Sequence, residues 1–167
     1  MTKFGTSSTT ITMAVWLLGG VLLASHVAAQ TAQDLVGTWT ATSITSDLGG
    51  NTVETYGANP KSILMFDANG RYALVIVRAD LPAFASYNRT TGSPEENQAV
   101  VQGTIAHFGT YAVEADAIIF RIEAATLPNW SGAEQRRPFT LQRNELRYAV
   151  PASSGGGTGS LVWVRAK

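Results

Sequence analysis

Short runs rich in β-branched and aromatic residues, joined by connectors as brief as two residues, constrain this chain more than any other feature. They are Thr38–Thr45, Lys61–Phe66, Arg71–Arg78, Gly109–Glu114, Ala117–Ala125, Arg137–Gln142, Glu145–Val150 and Ser160–Arg165. A connector such as Ala115-Asp116 or Arg143-Asn144 can only reverse the chain, so the strands on either side of it are antiparallel. Asp67-Ala68-Asn69-Gly70 gives the clearest hairpin, because Asn and Gly take the positive φ of a tight turn at low cost. Successive hairpins make a meander, and about eight such strands close into an up-and-down barrel. The expected fold class is therefore all-β, with neither the heptads nor the βαβ alternation that would point elsewhere.

Three segments interrupt this rhythm. Asp47-Leu48-Gly49-Gly50-Asn51 reads as a polar loop after the first strand, and Ser153–Gly159 as a flexible loop before the last. Between Arg78 and Phe108, Ser93-Pro94-Glu95-Glu96 has an N-cap, a proline at the first helical position and acids in the first turn. A helix from about Pro94 to Ile105 is expected there. Arg71–Arg78 is apolar on both faces, so this helical segment is expected to cover the outer side of the second and third strands.

The first residues obey different chemistry. Lys3 precedes an apolar run from Met13 to Ala24, and Val27-Ala28-Ala29 supplies small residues before Gln30. That is the plan of a signal peptide, and the apolar run is shorter than the roughly 20 residues a spanning helix needs. The expected division is a signal peptide over 1–29 and one barrel domain over 30–167, exported to the periplasm or the extracellular space, with no stable membrane span after cleavage. The chain has no cysteine, so disulfides and thiol chemistry are excluded. Its 12 basic and 12 acidic residues cancel and are dispersed, which argues against a nucleic-acid partner and for a small hydrophobic or amphipathic one.

Val36-Gly37-Thr38-Trp39 resembles the Gly-x-Trp signature of lipocalins, and the last strand carries Trp163 and Arg165. More of the chain is similar to one branch: Asn59-Pro60-Lys61, Phe66–Arg71, Arg78–Pro82, Phe108–Tyr111, Leu127–Trp130 and Leu161–Trp163 resemble the bacterial lipocalin-like domain family. The resemblance spans nearly all of 30–167 and implies a lipocalin or calycin-like barrel of about eight strands. It also implies that Arg165 lies across Trp39, with Gly37 beside it, to close one end. Glu123-Ala124-Ala125 departs from the Glu-Gly expected of that family, which argues against a bulge or close backbone approach at that point.

The candidate site residues follow from alternation and from loop position. Ile118, Phe120 and Ile122 share one face of their strand, while Ile119, Arg121 and Glu123 share the other. If the charged face points outward, Arg121 and Glu123 are a surface pair contributing about 0–1 kcal/mol. If it lines a cavity, Arg121 can clamp a carboxylate or carbonyl, with Glu123 as partner or base. His107 is the only histidine of 30–167 and stands at the expected helix–strand junction, either as a structural residue or as an acid–base group beside Tyr111. Trp130 in a loop and Phe84 and Tyr87 in the covering segment are candidates for a cavity mouth.

A lone histidine without cysteine supplies no metal site, and neither a cofactor motif nor a nucleophile elbow is present. Three functions remain: a non-enzymatic binder of a small apolar or amphipathic molecule, an isomerase or cyclase acting on a carbonyl compound, and a filled barrel that works through its surface. Export has its own test. The mass of the protein recovered outside the cytoplasm is expected to be that of a chain beginning at Gln30; a mass that includes residues 1–29 would mean an uncleaved anchor instead.

Overall fold

The computed structural model describes residues 1–2 and 30–167, so the expected signal peptide lies outside the described residues. Nine strands follow one another: β1 (Gly37–Leu48), β2 (Asn51–Glu54), β3 (Lys61–Phe66), β4 (Arg71–Val77), β5 (Thr104–Glu114), β6 (Ala117–Ala125), β7 (Glu134–Gln142), β8 (Glu145–Val150) and β9 (Thr158–Arg165). All pairings are antiparallel, and β1 pairs with β3 on one side and with β9 on the other. That double pairing closes the sheet into an eight-stranded barrel, with β2 as an extra strand hairpinned onto the far end of β1. Among the described residues no helix is long and apolar enough to cross a membrane.

All eight expected strands are present, and Gly70 takes the turn between β3 and β4 with φ 79°. The segment read as a polar loop after β1 is instead structured. Gly49-Gly50 forms a two-residue hairpin turn, with Ser46 opposite Val53 and Leu48 opposite Asn51. The face of β1 also changes along its length. Trp39 and Ala41 point inward, but the register shifts between Ala41 and Ser43, so that Ile44 and Ser46 take the interior and Ser43 does not. A bulge inserts one residue and flips the alternation beyond it.

A second bulge lies where the family's glycine is missing. Phe108 pairs with Ala124 and Gly109 with Ile122, leaving Glu123 as the extra residue on β6. The bulge therefore forms without a glycine on its own strand. Gly109 on β5 supplies the room, since a side chain there would run into the Arg121 carbonyl and come within 2.9 Å of the Glu123 amide. The glycine is required across the pair, not within the bulge.

The helix α2 (Pro94–Gly103), expected from its cap, is present. The Ser93 hydroxyl accepts from the Glu96 amide, and the Glu96 carboxylate accepts from the Ser93 amide. It runs directly into β5, which begins at Thr104, because Ile105, His107 and Tyr111 alternate into the core as a strand. The expected cover over the second and third strands is not what α2 provides. Ile63, Met65, Val75 and Phe108 remain 37–45% exposed on the outer face of β3–β5, while Val100 and Val101 of α2 sit over one end of the barrel.

The opposite end is sealed. A short helical turn, α1 (Ala32–Leu35), buries Leu35 completely, and the Trp39 indole N–H donates to its carbonyl at 2.9 Å. Arg165 lies flat over the Trp39 ring at 4.2 Å and donates to the carbonyls of Val36 at 2.6 Å and Asp34 at 2.8 Å. Gly37 has φ 134°, and any side chain on it would meet the Arg165 guanidinium. The closure expected of Gly37, Trp39 and Arg165 is thus present in detail. Gln30 adds to it by donating to the Leu141 carbonyl and accepting from the Leu141 amide.

Arg165→Ala removes two charge-assisted hydrogen bonds and a cation–π contact. It is expected to lower the unfolding free energy by about 2–3 kcal/mol. Arg147→Ala, which breaks an exposed pair with Glu145, is expected to change it by less than about 1 kcal/mol. Urea titrations of the three proteins check this, and equal costs for the two variants would remove Arg165 from the closure.

Candidate functional site

Strand β7 places a charge where the barrel should be apolar. Its alternation sends Phe139 and Leu141 inward, and the same two-residue period sends Gln135 and Arg137 with them. Arg137 is 2% exposed. It donates through Nη2 to the Gln135 side-chain Oε1 at 2.6 Å and through Nη1 to the Tyr148 hydroxyl at 3.5 Å, while its buried Nε has no protein partner. Aromatic faces surround the guanidinium, with its central carbon 4.6 Å from the Phe120 ring centre, 5.4 Å from Tyr148 and 5.9 Å from Trp130. Among the described residues every ion pair is on the surface, and none involves Arg137. A buried cation therefore stands without a counterion, held by π faces, one amide oxygen and a tyrosine hydroxyl.

His107 faces it from β5. The ring is 3% exposed, 2.9 Å through Nδ1 from the Tyr72 hydroxyl, and edge-on to Trp130 at 5.8 Å between centroids. Burial, reinforced by the positive charge of Arg137, pushes the imidazole down to about 3. Burial likewise raises Tyr72, which stays a phenol. With both rings neutral, the Tyr72 hydroxyl can donate to Nδ1, which leaves the imidazole proton on Nε2.

Above these groups the barrel is hollow. An internal cavity of about 40 Å³ is lined by Leu74, Ile76, Ile105, His107, Trp130 and Arg137, by Ile44, Ser46, Val150 and Leu161, and by Tyr56, Thr55 and Ser154 toward the outside. None of its lining residues is acidic. Thr55, Tyr56, Ile105 and Ser154 also line a groove of about 510 Å³ bounded by Val100, Val101 and Gln102 of α2 and by Leu127. The cavity and the groove share this wall at the open end of the barrel.

Measured against the sequence, the site has moved. Arg121 points outward and pairs with Glu134 at 2.9 Å; Glu123 is outside as well and accepts both Arg71 Nη groups at 2.7 and 2.9 Å. The two are surface residues with different partners, because the inward set of β6 is Ile118, Phe120 and Ile122. Tyr111 does point inward, but at the sealed end, where its hydroxyl donates to the Asp67 carbonyl at 2.9 Å. Phe84 is half-buried against Gly92 before α2, and Tyr87, with φ 52°, is almost fully exposed; neither lines the cavity. His107 and Trp130 are the candidates that meet there. His107 sits within a strand, not at a helix junction, and Trp130 folds in from a 3-10 turn, Pro128–Trp130.

Arg137, Tyr148, Gln135 and Tyr56 are not among the site residues expected from the sequence. A signal for the first two was available: Arg137 shares its two-residue register with Phe139 and Leu141, and Tyr148 shares its own with Leu146 and Val150. Tyr56 lies in a turn after the unexpected β2, so no alternation could have placed it.

A closed antiparallel barrel, plugged at one end and hollow at the other, is the architecture of barrels that hold one small ligand. The lipocalin-like domain family matches residues 36–166, and the chain belongs to that family. A search of curated proteins finds no match.

His107 makes stability depend on pH in a defined direction. Its folded-state value lies below the ordinary 6.5, so the unfolded chain takes up the proton first as pH falls. Stability from this group is complete above about pH 6.5 and is lost progressively toward pH 3, by several kcal/mol in all. Denaturant midpoints measured from pH 8 to pH 4 are expected to decline below pH 6.5, and His107→Gln is expected to flatten that decline. An unchanged slope in the variant would mean that other groups carry it.

Proposed function

We propose that this protein is exported and binds a small amphipathic molecule at the open end of its barrel, with the polar end of the ligand in the cavity and the apolar part in the groove. The observation that carries the reading is the shared wall. The internal cavity holds roughly two or three waters at most, too little for a whole metabolite. The adjoining groove is an order of magnitude larger and is lined by Val100, Val101, Ile105 and Leu127. A ligand with a compact polar end and an apolar body suits both spaces at once. Membership of the lipocalin-like family supports the same reading at the level of the fold.

Catalysis of the isomerase or cyclase kind has less support. The residues it relied on, Arg121 and Glu123, face solvent, and no carboxylate lines the cavity to serve as a base. His107 is a weak base when its imidazole is held down to about 3. Export rests on the sequence of residues 1–29.

Native mass spectrometry of the protein recovered from its host is expected to retain one small molecule per chain. Val100→Trp, which narrows the groove from a half-buried helix position without touching the core, is expected to lose it while keeping its melting temperature. Repeated absence of any bound molecule, together with no thermal shift across a lipid and metabolite panel, would defeat the proposal.

A further inference from the structure

Resting on that reading, we infer that the cavity takes the carboxylate of a monoanionic ligand and that Arg137 is its binding residue. Three observations converge on this class. Arg137 is buried without an acidic partner, and its Nε–H is aimed at nothing in the protein. The cavity it lines contains no Asp or Glu to neutralise it. His107, two strands away on β5, is kept neutral chiefly by burial, with the Arg137 charge adding to it, so it brings no competing cation to the cavity.

The shape of the donors selects among anions. A guanidinium presents parallel N–H groups that match the two oxygens of a planar carboxylate. A phosphate monoester brings close to two negative charges at neutral pH against one cation, and its third oxygen needs space that a cavity of about 40 Å³ does not offer beside His107 and Tyr56. Burial amplifies the choice. With Phe120, Tyr148 and Trp130 around the guanidinium, the charge is screened little by water or salt, so an incoming carboxylate recovers electrostatic stabilisation the empty site lacks. The tail attached to it leaves past Ile105 and Tyr56 into the groove, where Val100 and Leu127 form an apolar wall.

Decanoate and decan-1-ol make a matched pair of probes, with the same tail and different heads. Isothermal titration of the full chain at pH 7.5 is expected to give 1:1 binding of decanoate about 10- to 100-fold tighter than decan-1-ol, the range expected when one partner of a buried hydrogen bond carries charge. In Arg137→Met, whose side chain has similar length without the charge, that preference is expected to vanish while decan-1-ol binding persists; Arg137→Lys should recover part of it. Equal binding of the two probes by the wild-type protein, or a preference that survives in Arg137→Met, overturns the carboxylate assignment and leaves the amphipath reading standing. If neither probe binds and neither displaces the neutral dye N-phenyl-1-naphthylamine, both fall. Should Arg137→Met fail to fold by circular dichroism, the wild-type comparison still decides.

Discussion

Pairing of β1 with β9 is the constraint on which the rest depends. Without it the meander is an open sheet with two exposed edges, each a row of unpaired amides and carbonyls. With it the strands have an inside, and every side chain is assigned to core or solvent by its place in the two-residue alternation. The long β1 does this by serving two neighbours: its first residues pair with β3, while Trp39 to Asp47 pair with β9. The Ala41/Ser43 bulge reconciles the two demands. The strand keeps Trp39 inward at the sealed end and brings Ile44 and Ser46 inward at the hollow end.

Closure also explains why the two ends differ. At the sealed end the first and last strands meet α1, and the interactions there are redundant: a buried leucine, an indole hydrogen bond, and an arginine stacked on the indole while bonding two carbonyls. Aromatic rings fill the space next to it, with Phe66, Tyr72 and Phe120 in mutual contact at 4.7–6.5 Å and Phe66 also against Tyr111 at 4.6 Å. Toward the open end aliphatic residues such as Ile44, Ile76, Ile105 and Leu161 join His107, Trp130 and Arg137, and the interior is no longer filled. Stability is concentrated at one end of the tube and space at the other.

Much of this was legible in the sequence, and the failures have physical causes. Strand order and the sealed end followed from turn chemistry and from Gly37, Trp39 and Arg165, because both are local or carried by the family resemblance. Simple alternation describes β6, where Phe120 is inside, but not β1, where the bulge after Ala41 turns Ser43 outward. The candidate cavity residues were misplaced for a different reason. Arg121 and Glu123 were conspicuous as charges beside an apolar strand, yet a charged face opposite Ile118, Phe120 and Ile122 is what an outer face should be. Arg137 was inconspicuous at the start of its strand, although its register with Phe139 put a charge on the inner face.

That register is the more informative kind of anomaly. A polar residue on an outer face agrees with every local rule, so it carries no message about function. An arginine on an inner face violates the pattern and costs desolvation that three aromatic faces and Gln135 offset only in part, since Nε stays unpaired. A leucine or methionine at 137 would satisfy the barrel's packing at no such cost. The charge therefore has to be understood through what it does to its surroundings. It adds to the burial that keeps His107 neutral, and its Nε–H stays without a protein partner in a barrel whose cavity lining, Arg137 included, holds no acid.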